Sequence, residues 1–157
     1  AAIALAIGLG IQGVTDPDVL IEEALRIAEL GMARGNIWYS ASILERTRLA
    51  LQIVKAATDR EAKMISLYDL VGTGVQMAET VPTSLAIVKL AQGDPVEGVI
   101  LAANMGGDCD TIGAIVGAIC GAIRGRAAFP AEWIDLLQEV NGYDFAAYAE
   151  KLYGVVQ

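Results

Sequence analysis

Ten residues in the second half of the chain carry its clearest chemical signal: Asn104-Met105-Gly106-Gly107-Asp108-Cys109-Asp110-Thr111-Ile112-Gly113. Two glycines make a flexible turn that lets main chain approach a neighbour closely. Two carboxylates follow at i and i+2, with a hydroxyl directly after the second. Hard oxygen donors so closely spaced suit Mg²⁺ or Ca²⁺ better than zinc or copper. Their place at a predicted helix start fixes their direction, because the helix behind them is rigid. The competing reading is structural: aspartate is a favoured N-cap, and Thr111 is then ordinary first-turn composition. Cys109 is a soft candidate for a ligand at the same place, but neighbouring residues do not share a helix face, which turns it away from the carboxylates.

The helix expected behind this loop is unusual. Gly113, Gly117, Gly121 and Gly125 recur every fourth residue, with Ala114, Ala118 and Ala122 beside them. Residues at i and i+4 share a face, so the spacing predicts a flat surface on which another helix packs closely. Each interior glycine costs about 0.5–1 kcal/mol relative to alanine, and the repetition implies that close packing is required. A rigid support directly under a metal loop is what a preorganised site needs. Without the aspartates, the same stripe would read as a helix-packing or membrane-dimer motif.

Three further segments are candidates. Asn36-Ile37-Trp38-Tyr39-Ser40-Ala41-Ser42 is a loop whose Trp38 or Tyr39 can stack on a base or close a cleft, or else anchor the loop in the core. Glu79 is a candidate to orient a metal ligand or a bound water, against a solvated loop glutamate. Gly74, in Gly72-Thr73-Gly74, is a candidate for close approach to a substrate, against a simple helix stop. Glu22 with Glu23, and Arg46 with Arg48, read as solvated helix faces.

The elements that position these residues are predicted from helix punctuation. Asp16-Pro17 starts a helix that fades at Gly31 to Gly35. Ser42 with Glu45 starts one reaching about Ala57, and Thr58 with Glu61 starts another that ends near Val71, with Gly72 as its stop. Pro82 starts the next, ending at Gly93. Asp94-Pro95 leads to about Met105, Asp110 to Arg124, Pro130 to Asn141-Gly142, and Asp144 to Tyr153. With the apolar opening segment, that is about nine helices, no alternating strand pattern and no linker, so one all-α domain is expected.

Composition narrows the function. The 157 residues carry 11 basic and 19 acidic side chains, a net charge of −8, without the clustered Lys and Arg of a nucleic-acid surface. Mean hydropathy is +0.49, yet the longest charge-free apolar run, Ile112 to Ile123, falls short of the roughly 20 residues a span needs. No membrane association is expected. Cys109 and Cys120 lie about 16 Å apart along a helix, too far for a disulfide, which suits a reducing cytoplasm. There is no histidine, which excludes His-based triads within the chain.

The run from Gly106 to Ala122 closely resembles the C-terminal metal motif of the ADP-ribosylglycohydrolases, a family that includes the dinitrogenase-reductase-activating glycohydrolases and to which a jellyfish crystallin is related. Glu79-Thr80-Val81-Pro82 resembles the segment upstream of that motif, and Gly125, Phe129-Pro130 and Trp133 resemble the segment after it. The resemblance implies the family's all-α orthogonal helical fold, with two Mg²⁺ ions (Mn²⁺ as an alternative) in a central cleft. Asp108, Asp110 and Thr111 match its C-terminal metal ligands; Gly106, Gly107, Cys109, Gly74, Trp38 and Tyr39 become candidates for substrate contact, and Glu79 for support of the ligands. It further implies hydrolysis of an N- or O-glycosidic bond to ADP-ribose or a related riboside, free or on an ADP-ribosylated protein. The family's other ligands and its acid–base carboxylate belong to an N-terminal Thr-Asp-Asp-Thr type motif. No Asp-Asp pair occurs here, so the chain is expected to be a C-terminal half, without catalytic residues of its own and partnered by its N-terminal half. The alternative is a non-catalytic, crystallin-like or ADP-ribose-binding relative.

Overall fold

Polar caps set where most of the helices begin. Asp16, Ser42, Asp59 and Asp94 lie in extended backbone, and each side chain accepts from a main-chain amide just ahead, Asp18 N, Glu45 N, Ala62 N and Glu97 N respectively. A cap of this kind stabilises a helix by ~1 kcal/mol. Pro17 and Pro95 open their helices, where a missing N–H leaves no bond unmade.

The computed structural model describes residues 1–36 and 39–156. Among them are nine α-helices: α1 (Ala2–Ile11), α2 (Pro17–Arg34), α3 (Ile43–Lys55), α4 (Arg60–Ser66), α5 (Met77–Leu90), α6 (Pro95–Ala103), α7 (Cys109–Arg124), α8 (Ala131–Asn141) and α9 (Phe145–Val156). A π-helical turn, Leu67–Val71, extends α4, and a short 3-10 turn, Arg126–Ala128, follows α7. The described residues contain no strand, as the sequence predicts. No helix among them is long and apolar enough to cross a membrane.

The core is built around α5, where Thr83 to Val88 are all buried. It packs against α3 on one side and α7 on another, and α7 also lies against α1 and α6. Leu85, Ile87, Ile112, Val116 and Ile119 are essentially inaccessible to solvent. Each such aliphatic side chain stabilises the fold by about 1.5–3 kcal/mol through removal from water. Buried Cys120 has its thiol pushed up to about 12, by burial first and by Asp94 second, so it behaves as a small apolar side chain. Cys109 and Cys120 are both free.

Several predicted boundaries shift. The cap of α4 is Asp59 and not Thr58, since the Asp59 carboxylate takes the Ala62 amide at 2.8 Å. Helix α6 ends at Ala103, just short of Met105. Pro82 does not start a helix; it lies inside α5, which begins at Met77. The proline removes the amide that would bond the Ala78 carbonyl, and the Arg46 guanidinium donates to that carbonyl instead, at 3.4 Å.

The glycine stripe of α7 packs differently from the flat contact expected. A Cβ at Gly113 would sit 3.8 Å from the Ala102 Cβ, one at Gly117 would sit 3.4 Å from a Val99 methyl, and one at Gly121 would sit 3.1 Å from the Phe129 ring. The stripe therefore receives side chains from α6 and from Phe129. The tightest main-chain approach to α7 itself comes from α1, where a Cβ at Gly10 would sit 2.9 Å from the Ala122 Cβ and 3.1 Å from its carbonyl carbon.

This contrast gives a paired prediction. Gly8 lies in the same helix with nothing within 4 Å of its missing Cβ. Gly8→Ala is expected to stabilise by about 0.5–1 kcal/mol through helix propensity. Gly10→Ala is expected to destabilise by about 1–3 kcal/mol through overpacking against α7. Thermal denaturation of the two variants checks the sign of each.

Candidate metal centre

Between α6 and α7 the chain turns through Gly106 and Gly107, both at positive φ, +78° and +67°. A Cβ on Gly107 would overlap the hydroxyl and carbonyl oxygens of Thr73 and lie 3.0 Å from its carbonyl carbon. The glycine lets the two segments touch, and the Asp108 amide then donates to the Thr73 carbonyl at 2.7 Å. The start of α7 is thereby tied to the loop that precedes α5.

Asp108 occupies the N-cap position of α7, yet its side chain makes no capping bond, and its backbone (φ −82°, ψ 52°) departs from the extended conformation of the other polar caps. Capping needs that extended conformation to aim the side chain at the amides ahead. The cap reading therefore fails for Asp108. Its Oδ1 instead accepts the Thr111 hydroxyl at 3.0 Å, in an exposed setting. Asp110, fully exposed one residue beyond Cys109, has its carboxyl held below the ordinary value. The first cause is a bond from the Thr111 amide, followed by the Asp108 carboxyl and Asp110's own amide. Two carboxylates and a hydroxyl thus gather at one exposed helix start. This all-oxygen set fits a hard divalent cation. Among the described residues, no three of His, Cys, Asp and Glu come together as a metal-holding group.

The loop on the far side of this contact is held from every direction. The Gly72 carbonyl accepts from the Thr83 hydroxyl at 2.7 Å, and the Gly74 carbonyl from the Thr80 hydroxyl at 2.9 Å. The Gly74 amide donates to Glu79 Oε2 at 2.8 Å. Glu79 is therefore not a solvated loop residue: it lies in the first turn of α5 and also pairs with Arg46 at 3.4 Å. Its bonds reach the 72–74 loop and not the aspartates.

Arg46, Thr80 and Thr83 are the participants that the sequence reading missed. Arg46 reads in the sequence as part of a solvated face, whereas its side chain is 30% exposed and donates to the Val71 carbonyl at 2.9 Å. The signal for it was Pro82, whose position orphans a carbonyl and so demands a donor from elsewhere. Thr80 and Thr83 are buried, and a buried hydroxyl requires a partner.

The remaining candidates are more dispersed. Gly106 lies beside the Tyr68 ring, 3.6 Å from where its Cβ would be. Cys109, half-buried, forms the first residue of α7 between the two aspartates. Tyr39 is fully exposed rather than a core anchor. It borders an open recess of about 740 Å³ shared with Met32, Ser42, Gln76 and Met77, near the start of α5. Trp38 lies outside the described residues.

Comparison with known proteins places the chain in a family. The family model described as ADP-ribosylglycohydrolase matches residues 1–157. The chain is 39% identical over 150 residues to the uncharacterized protein YegU of Escherichia coli, covering 96% of this chain and 45% of that protein. An uncharacterized protein of Archaeoglobus fulgidus is 31% identical over 140 residues, 88% of this chain and 39% of its own length. The ADP-ribosylhydrolase ARH3 of Bos taurus is 25% identical over 170 residues, 98% of this chain and 46% of its own. The chain thus spans less than half the length of these curated relatives. No solved structure matches it.

Proposed function

Since the chain belongs to the ADP-ribosylglycohydrolase family, we propose that it forms part of a magnesium-dependent hydrolase that cleaves the N- or O-glycosidic bond to ADP-ribose or a related riboside. The observation that carries this reading is Asp108, a helix-start carboxylate that caps nothing and instead shares an exposed oxygen cluster with Thr111 and Asp110. In this reading Asp108, Asp110 and Thr111 would hold one side of a site for Mg²⁺, or Mn²⁺. When bound, such ions supply Lewis-acid charge at the sugar and its diphosphate. They also reconcile an acidic chain with an anionic ligand.

The chain's own residues then have distinct tasks. Asp110 stays ionised at neutral pH, as its lowered pKa requires. Thr111 fixes the Asp108 carboxylate through its hydroxyl. Gly106 leaves main chain free for close approach of a substrate, whereas the side of Gly107 without a Cβ is taken by Thr73. Both main-chain groups of Gly74 are already engaged, by Glu79 and Thr80, and Glu79 fills the space beside it, so Gly74 shapes the loop and does not meet a substrate. The remaining donors and the acid–base carboxylate are assigned to a segment outside residues 1–157.

The test uses the full-length chain on arginine- and serine-linked ADP-ribosyl peptides, with free ADP-ribose followed by chromatography. Release that requires Mg²⁺ and stops on chelation is expected. Calorimetric binding of ADP-ribose without cleavage of either peptide would replace the hydrolase with a binding protein.

A further inference from the structure

Resting on the metal-centre reading above, we infer that Arg46, on a different helix, is a positioning residue for Asp108. The connection runs through main chain. Arg46 Nη1 donates to the Val71 carbonyl at 2.9 Å and the Ala78 carbonyl at 3.4 Å, and it faces Glu79 Oε1 at 3.4 Å. Val71 ends the π turn, so its carbonyl has no further turn of helix to accept from. The Ala78 carbonyl is the one that Pro82 leaves without its helical amide. One guanidinium thus closes both ends of the 72–77 loop and holds the carboxylate that secures its middle.

Inside this bracket the loop has little freedom. Thr83 holds the Gly72 carbonyl, Thr80 the Gly74 carbonyl and Glu79 the Gly74 amide. The Glu79 side chain also fills the space where a Cβ on Gly72 or Gly74 would go, with contacts of 2.6 and 2.7 Å. The Thr73 carbonyl remains, and it receives the Asp108 amide at 2.7 Å. Where Thr73 sits therefore decides where the Asp108 carboxylate starts from. All three acceptors meet at Nη1, and the planar guanidinium holds that nitrogen in a fixed place, whereas a lysine ammonium on a flexible stem is held less firmly.

The experiment measures Mg²⁺ affinity by calorimetry and amide hydrogen exchange at Asp108 in the full-length chain. Arg46→Ala is expected to weaken Mg²⁺ binding about 10–100-fold, the range seen when a partner behind a metal ligand is lost, and Arg46→Lys by less. Exchange at the Asp108 amide should accelerate in both. Glu79→Gln keeps an oxygen for the Gly74 amide and is expected to retain part of the affinity. A core variant of matched thermal stability, Ile87→Val, should leave affinity and exchange unchanged. Thr83→Val removes only the Gly72 bond, keeps side-chain shape, and serves if Arg46→Ala does not fold. Wild-type affinity and exchange in Arg46→Ala, or in Thr83→Val where Arg46→Ala does not fold, would overturn the positioning role while leaving the metal centre standing. If the unmodified chain binds no Mg²⁺, the metal reading falls, and the Asp108 exchange rate alone decides whether Arg46 governs this loop.

Discussion

Replacing Asp110 with asparagine in the full-length chain is expected to lower glycosidic hydrolysis by more than about 100-fold and to weaken Mg²⁺ binding at least as much. Loss of a group that only supports a metal ligand costs about 10–100-fold, and Asp110 is assigned to the ion directly. The substitution preserves size and changes chemistry: a carboxylate accepts on both oxygens with a full negative charge, whereas the amide keeps one acceptor and presents two donors toward the cation. The side chain is exposed, so the fold should hardly respond; surface substitutions of this kind stay within about 0.5 kcal/mol. Unchanged melting temperature with lost Mg²⁺ affinity and lost turnover is the expected pattern, read by calorimetry and product release. Full activity in Asp110→Asn would remove the Asp108–Thr111 cluster from the reaction altogether.

The Asp-x-Asp-Thr cluster was legible as a cluster because it is local: its three oxygen-bearing side chains lie within four residues, at the start of α7. The all-α architecture was legible for a similar reason. Asp16-Pro17, Ser42 and Asp94-Pro95 each carry within a few residues the donor balance that starts a helix. Thr58 failed as a cap because Asp59 competes for the same role one residue later, and which of them meets an orphan amide depends on where α4 packs. Pro82 failed as a helix start for a deeper reason. Its presence inside α5 depends on Arg46, which is 32 residues from the carbonyl it serves. No pattern of neighbouring residues encodes that donor. The glycine stripe predicted close packing correctly in kind, but Val99, Ala102 and Phe129 are what fill it, and their meeting with α7 is tertiary. The tie between Asp108 and Thr73 belongs to this class too. The glycine pair predicted close approach without saying to what.

That tie makes Gly107 the most constrained position of the loop, and Gly107→Ala is expected to destabilise the chain by about 2–5 kcal/mol and to abolish Mg²⁺ binding. Two costs add. At φ +67°, an L side chain meets its own carbonyl, at about 1–2 kcal/mol. The new methyl also overlaps Thr73, where the obstacle is main chain and not the end of a flexible side chain; overpacking of this sort costs about 1–3 kcal/mol. Thr73 cannot withdraw cheaply, because Gly72 and Gly74 on either side of it are bonded to Thr83, Thr80 and Glu79. The yielding element is then the Gly107–Asp108 peptide, and its rotation breaks the Asp108–Thr73 bond and swings the carboxylate out of register with Asp110 and Thr111. Gly106 is the internal control. Its φ is also positive, +78°, but the nearest atom to its missing Cβ is Tyr68 Cε2 at 3.6 Å, an ordinary contact. Gly106→Ala therefore carries the first cost without the second. At about 2–4 °C per kcal/mol for a chain of this size, the two variants should melt several degrees apart, with Mg²⁺ affinity lost in Gly107→Ala and largely kept in Gly106→Ala. Equal melting temperatures would mean that the 72–74 loop yields to the methyl, and that the Arg46 bracket around it is softer than its bonds imply.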